Sequence, residues 1–204
     1  MNLKQTTFIS DKPARERILL TAHDLFYRDG IRASGIDRVI AEAGVSKATF
    51  YRHFPSKNAL IRAFLNYRHE RWLSWFKQAL QHQGADLGLM SLVPVMEEWF
   101  NNPLYRGCAF INTAAEFGDS LPEALELCLS HKQDMVNVIA TLLPVNESQM
   151  ILANAAAVAI DGAIVRAQLE SQIIQSKTAL TALALILDIL NQSSILSSLS
   201  KLSK

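Results

Sequence analysis

Sixteen residues, Val45 to Leu60, read VSKATFYRHFPSKNAL and carry Ser46, Lys47, Thr49, Tyr51, Arg52, His53 and Lys57 with no carboxylate among them. Such a run of donors suits a polyanion. DNA lines both walls of its grooves with phosphate oxygens, which Lys47, Tyr51, His53 and Lys57 can reach without a repelling acid. Base edges call for other chemistry: arginine and lysine at guanine, the threonine methyl at thymine, which points to Arg52, Lys47 and Thr49. Ala48 has almost no side chain and lets a helix backbone come close to a groove. A basic amphipathic run is ordinarily just a solvated face, so the reading depends on what positions these residues.

Helical periodicity runs through nearly the whole chain and strand-like alternation through almost none of it, so the fold is expected to be all-α. Ala14, Ile18, Leu19, Ala22, Leu25 and Phe26 form one stripe, stopped by Gly30. Ser34 stands three residues before Asp37, the spacing of a capping box, ahead of Ile36, Val39 and Ile40 and a stop at Gly44. Val45 follows as an apolar hinge and Ser46 as a cap. A short third helix then runs from Lys47 to about Arg52, with Val45, Phe50 and Phe54 facing inward. Pro55 ends it and Ser56 caps the next helix, expected from Lys57 to about Gln81. Further helices are expected over 87–100, 106–117, 122–143, 147–172 and 177–197, with Pro94 as a break and a polar tail SSLSKLSK. A two-turn helix, a glycine turn and a short polar-faced helix form the layout of a helix-turn-helix, whose second helix enters the major groove.

Charge supports the same division. The net charge is +1, but residues 1–80 hold 14 Lys/Arg against 7 Asp/Glu and residues 81–204 hold 6 against 12. A basic first part beside an acidic remainder suggests that one end meets a polyanion. Cys108 and Cys128 form no CxxC pair and have no histidine at zinc spacing, so neither a disulfide framework nor a metal is indicated, and a reducing compartment fits. MNLKQTTFIS lacks the apolar core and cleavage site of a secretory signal, and the runs 151–165 and 179–190 are short for a membrane span. A cytoplasmic protein without cofactor is expected. No Glu-x-x-His pair, HExxH or P-loop occurs, and no enzyme is expected.

From Ala14 through Leu60 the sequence resembles the TetR family of transcriptional regulators, on the first-helix stripe, the Ser34 entry, AEAGVSKATFYRHF at 41–54 and PSKNAL at 55–60. The resemblance implies about nine helices. An N-terminal helix-turn-helix DNA-binding domain would cover 1–56 and a larger ligand-binding and dimerisation domain 57–204, with the fourth helix, 57–81, connecting them. It places Ser34, Ser46, Lys47, Ala48, Thr49, Tyr51, Arg52, His53 and Lys57 at family positions that commonly contact DNA. Ala48 departs from the glycine often found there. RGCAFINTAAEFGD at 106–119 and AIDGAIVRAQ at 159–168 resemble a subgroup with Gly-Cys at the start of the sixth helix. The implied function is a repressor, bound as a homodimer to a palindromic operator and released by a small-molecule inducer.

Two features of the later chain agree with that reading. Ala153, Ala155, Ala156, Ala157, Ala159 and Ala163 would let a partner helix approach the penultimate helix, and Leu180, Leu183, Ala184, Leu187 and Leu190 give the last one an apolar face. Packing within one subunit is the plainer alternative. For a ligand pocket the candidates are Tyr67, Arg68, Trp72, Trp75, Met96, Trp99, Cys108, Phe110, Asn112, Thr113, Glu116, Phe117, His131 and Asp161, although rings at helical spacing are commonly plain core. His131, beside Lys132 and Asp134, is expected near the surface. Cys108, at a helix start beside Arg106, offers a second mode of control as a redox or electrophile sensor. A free cysteine is more often a small buried hydrophobe.

Overall fold

The computed structural model describes residues 11–170 and 177–202. Among them run nine α-helices and no strand: α1 (Ala14–Asp29), α2 (Ile36–Ala43), α3 (Lys47–His53), α4 (Lys57–Gln81), α5 (Leu92–Phe100), α6 (Ala109–Phe117), α7 (Pro122–Ala140), α8 (Gln149–Glu170) and α9 (Lys177–Leu202). The expected end of the penultimate helix at Gln172, the N-terminal decapeptide and the last two residues of the tail lie outside the described residues. Pro94, expected as a break, sits in the first turn of α5, where its missing N–H is no loss. The helix expected from residue 87 begins instead at Leu92, because the backbone leaves the helical region at Gly88.

The chain clusters into two compact bodies, residues 11–71 with 108–131 and residues 72–107 with 132–202. In the first, α1 packs against α2 and α3. Its core holds Ile18, Ala22, Leu25 and Phe26 from α1, Val39 and Ala43 from α2, Phe50 from α3 with Phe54 just beyond it, and Leu60, Ile61, Phe64 and Leu65 from α4. Phe26 and Phe64 meet edge to face at 5.5 Å, which fixes the crossing of α1 over the start of α4. The capping box expected at Ser34 does not form. Gly35 is the N-cap of α2 without a side-chain bond, and the Ser34 hydroxyl turns inward to donate to the carbonyls of Gly30 (2.8 Å) and Leu25 (3.3 Å).

In the second body α8 and α9 lie along one another and α5 packs against both. The buried stripe of α8 is Ala153, Ala156, Ala157, Ile160, Ala163, Ile164 and Ala167, at the 3–4 spacing of one helix face. Four of the six alanines expected to receive a partner helix are thus covered within the subunit, and Ala155 and Ala159 are half-buried. What α8 turns outward is a different row, Ile151, Val158, Val165 and Leu169, at spacings of seven, seven and four. α9 buries Ala179, Leu183 and Leu187 and leaves Leu185, Ile186 and Ile189 exposed. With 22 residues α8 is long and apolar enough to cross a membrane, but its alanine stripe and its pairing with α9 are those of a core helix.

Candidate nucleic-acid interface

A seven-residue helix has little stability of its own, so α3 depends on what anchors it. Phe50 is fully buried and Phe54 nearly so, with their rings 6.3 Å apart, and burial contributes about 1.5–3 kcal/mol for each. Ser46 caps the helix: its Oγ accepts from the Thr49 amide at 3.1 Å and lies 2.9 Å from Thr49 Oγ1. Gly44, which closes α2, holds φ 61 and ψ 43, a conformation that a residue with a Cβ adopts at a cost. Arg17 of α1 then fixes the turn, donating Nε to the Ala43 carbonyl (3.1 Å), Nη2 to Gly44 (3.2 Å) and Nη1 to Lys12 (3.1 Å). Sequence reasoning missed Arg17, whose partners include carbonyls 26 and 27 residues away that no local pattern announces.

With the phenylalanines inside, Ser46, Lys47, Ala48, Tyr51 and Arg52 are exposed and Thr49 and His53 half-buried, so seven of the nine expected DNA-contacting residues share the outward side of α3. Lys47 Nζ lies 3.9 Å from the Asp37 carboxylate, both largely exposed, a pairing of little energetic weight. The other two residues point elsewhere. Ser34 is fully buried, as described above, and Lys57 donates its ammonium to the Ile31 carbonyl at 2.6 Å with Phe26 below it. Desolvation pushes the Lys57 pKa down, against the pull of Glu116. Lys57 therefore ties α4 to the turn after α1.

Glu116, a candidate for the ligand site, is also committed to this turn. Its carboxylate accepts from the amides of Ile31 (3.2 Å) and Arg32 (2.8 Å), while Arg32 returns Nε to the Glu116 carbonyl at 2.7 Å and stacks over Phe117. Two backbone amides, 85 and 84 residues away in sequence, thus hold α6 to the helix-turn-helix. Gly30 makes room for this, since a Cβ there would stand 3.2 Å from Glu116 Oε1 at a φ of +90°.

The remaining pocket candidates divide between the two bodies. In the first, Phe110 stacks on His131 at 3.6 Å, and His131 Nδ1 lies 3.1 Å from His69 Nδ1. His131 is buried, not superficial. It falls on the stripe Ala124, Cys128, His131, Met135, and its polar neighbours Lys132 and Asp134 project from other sides of α7. Thr113 bonds back to the Ala109 carbonyl, and Asn112 and Phe117 are half-buried. Cys108 is buried at the N-cap of α6, while the Arg106 guanidinium is turned to the carbonyls of Tyr105 and Pro103.

Arg68 is 1% exposed, with its guanidinium 3.9 Å from the centre of the Tyr27 ring and Nη1 3.3 Å from His23 Nε2. Arginine only donates, so Nε2 accepts and the His23 proton sits on Nδ1, facing the Asp24 carboxylate at 3.0 Å. Burial holds His23 below its ordinary pKa, with Arg68 and Arg71 pushing the same way and Asp24 opposing. Tyr67 accepts from Arg71 Nη1 at 3.0 Å.

In the second body Trp72 stacks on Phe76 at 4.7 Å and meets Trp99 at 5.4 Å, Trp75 donates to Glu98 at 3.0 Å, and Met96 is fully buried. Asp161 takes an ion pair from Lys132 at 2.5 Å. A cleft of about 620 Å³ opens between α4 and α7, lined by Leu73, Lys77, Leu80, Gln81, Gly84, Asp134, Asn137, Val138, Thr141 and Leu142, which include none of the expected ligand residues.

Residues 18–64 match the family model described as bacterial regulatory proteins, tetR family, and they span α1 to the first turns of α4, including the whole outward face of α3. Over these residues the chain carries the N-terminal helix-turn-helix described for the tetR family. A curated relative, the HTH-type transcriptional regulator UidR of Escherichia coli K12, is 31% identical over 90 residues, 44% of this chain and 46% of UidR. The HTH-type transcriptional activator FasR of Mycolicibacterium smegmatis is 37% identical over 67 residues, 33% of this chain and 31% of FasR. The matched stretch spans less than half the length of these curated relatives. The TetR-like fold extends further: a TetR-family transcriptional regulator from Streptomyces coelicolor superposes with a TM-score of 0.74 at 29% identity, over 87% of this chain and 96% of its own.

Proposed function

We propose that the chain is a sequence-specific DNA-binding transcriptional regulator that acts as a homodimeric repressor on a palindromic operator and is released by a small molecule. Residues 1–56 would read DNA, and residues 57–204 would bind the ligand and the second subunit. The observation that carries the reading is the acid-free outward face of α3, presented by a rod whose two phenylalanines are buried. Two such rods one DNA turn apart, about 34 Å, would read two half-sites. The exposed apolar rows of α8 and α9 supply a surface for the mate. A ligand that binds more tightly to a state in which the rods are out of register lowers operator affinity by that difference. UidR, a transcriptional regulator, and FasR, a transcriptional activator, support transcriptional control.

The experiment is selection of bound duplexes from random DNA with wild type, Thr49→Ala, Arg52→Ala and Tyr51→Phe. Thr49→Ala and Arg52→Ala should each relax preference at particular base pairs, by about 1–3 kcal/mol per lost contact, and Tyr51→Phe should weaken all sites alike. Uniform weakening by all three would show that the face reads no bases.

A second reading, control through Cys108, is favoured by its position at the N-cap of α6. N-ethylmaleimide should then release the operator from wild type and not from Cys108→Ser. Equal release from both proteins would end it.

A further inference from the structure

Two guanidiniums, one turn apart on α4, are held inside the first body without an acid. Arg68 Nη2 and Arg71 Nε are both buried and have no hydrogen-bond partner among the described residues. The partners that Arg68 and Arg71 do have are neutral: the Tyr27 side chain and His23 for Arg68, the Tyr67 hydroxyl and ring for Arg71. Neither forms an ion pair with a carboxylate among the described residues. A buried cation surrounded by neutral groups is unfavourable unless something brings it a negative charge, and two cations three residues apart on one helix face also repel.

The unused nitrogens also define what would fit. Guanidinium N–H groups are directional and match the two oxygens of a carboxylate. The surroundings are aromatic, with His23 within 5.9 Å of Phe64 and 5.3 Å of Tyr67 between ring centres. Tyr27, Tyr67 and Arg71 are only half-buried, so the cluster reaches solvent along that edge. From this geometry we infer that Arg68 and Arg71 bind the carboxylate of a small organic anion whose apolar part lies against Tyr27, Tyr67 and Phe64. The inference deepens the reading of the chain as a ligand-controlled regulator and rests on it. It gives the ligand a charge and a class, and it gives the anion a direct hold on two helices of the same body. His23 and Tyr27 belong to α1, which packs on α3, and Arg68 and Arg71 belong to α4. A carboxylate drawn between them would reset α1 against α4 and carry the change to the outward face.

The test uses benzoate as probe and benzamide, its uncharged near-isostere, as control. Protein labelled with ¹³C and ¹⁵N at arginine is titrated with each, following the guanidinium signals of Arg68 and Arg71. Benzoate should move both signals saturably at concentrations up to about 10 mM and bind at least about tenfold more tightly than benzamide. Arg68→Met should lose that preference and, with a buried unpaired charge removed, melt no lower than wild type. If Arg68→Met does not fold, Arg71→Gln should still weaken benzoate without changing benzamide. Equal binding of the two probes, no saturable shift from benzoate, or a preference that survives both substitutions would overturn the inference. Binding of selected duplexes is measured in parallel. A chain that binds duplex and ignores benzoate refutes the anion site alone, and one that binds no duplex refutes the regulator reading whatever benzoate does.

Discussion

Lys57 and Ser34 carry donors suited to phosphate and direct them inward, to the Ile31 carbonyl in one case and to Gly30 and Leu25 in the other. Lys47, exposed beside the helix start, keeps its ammonium on the solvent side. The two lysines are therefore expected to separate by experiment. Lys57→Ala should cost about 1–2 kcal/mol of stability and leave the salt dependence of DNA binding nearly unchanged, whereas Lys47→Ala should flatten that dependence by about one unit of slope and spare the melting temperature. A flattened slope from Lys57→Ala would show that its ammonium reaches DNA. His23 gives a pH signature. Burial lowers its pKa from the ordinary 6.5, so the unfolded chain takes up a proton first as pH falls. His23 is thus neutral in both states at neutral pH and costs nothing there. Stability should decline below about pH 6.5 until the lowered folded pKa is reached, and His23→Gln should remove that part of the decline in melting temperature. At this scale the sequence was partly legible. His131 is misread from its polar neighbours Lys132 and Asp134, although it lies on the buried stripe Ala124, Cys128, His131, Met135, and nothing in a lone Ser or Lys tells whether its donor points to a groove or to a nearby carbonyl.

Among the elements, α4 falls at the boundaries that Ser56 and the breaks after Gln81 suggest, and α3 is bounded by Ser46 and Pro55 as their chemistry requires. Local signals suffice where a cap or a proline acts on its own neighbours. They fail where the determinant is distant, as with Arg17 on the α2 carbonyls and Glu116 on the turn at Ile31 and Arg32. Glu116 holds two amides with one carboxylate, and Glu116→Gln replaces an ionised acceptor by a neutral one. The loss should be about 1–2 kcal/mol. Hydrogen exchange should quicken at the Ile31 and Arg32 amides while the α3 amides remain protected by Phe50 and Phe54. Unchanged exchange at residues 31 and 32 would mean that the carboxylate does not hold the turn.

For the whole molecule the alanines of α8 mislead and the larger residues inform. Small side chains favour close helix approach, and here the approaching helix is α9 of the same chain. The row Ile151, Val158, Val165, Leu169 stays exposed, as does part of α9, and the proposed homodimer would bury it. Val158, 73% exposed in the isolated chain, is the most exposed of that row, and Val158→Glu should yield a folded monomer by sedimentation, with operator affinity falling at least tenfold as the paired half-sites lose their partner. A dimer that persists would place the interface elsewhere.

The most direct measurement is the binding of purified chain to duplexes selected from random sequence, read as affinity against salt with Lys47→Ala and Arg52→Ala beside wild type. The selected duplexes should share an inverted repeat with half-sites about one turn, or a multiple of it, apart, and both substitutions should reduce affinity while leaving the fold intact. No enrichment of any sequence at low salt, or full affinity after both substitutions, would contradict the assignment of the α3 face to DNA.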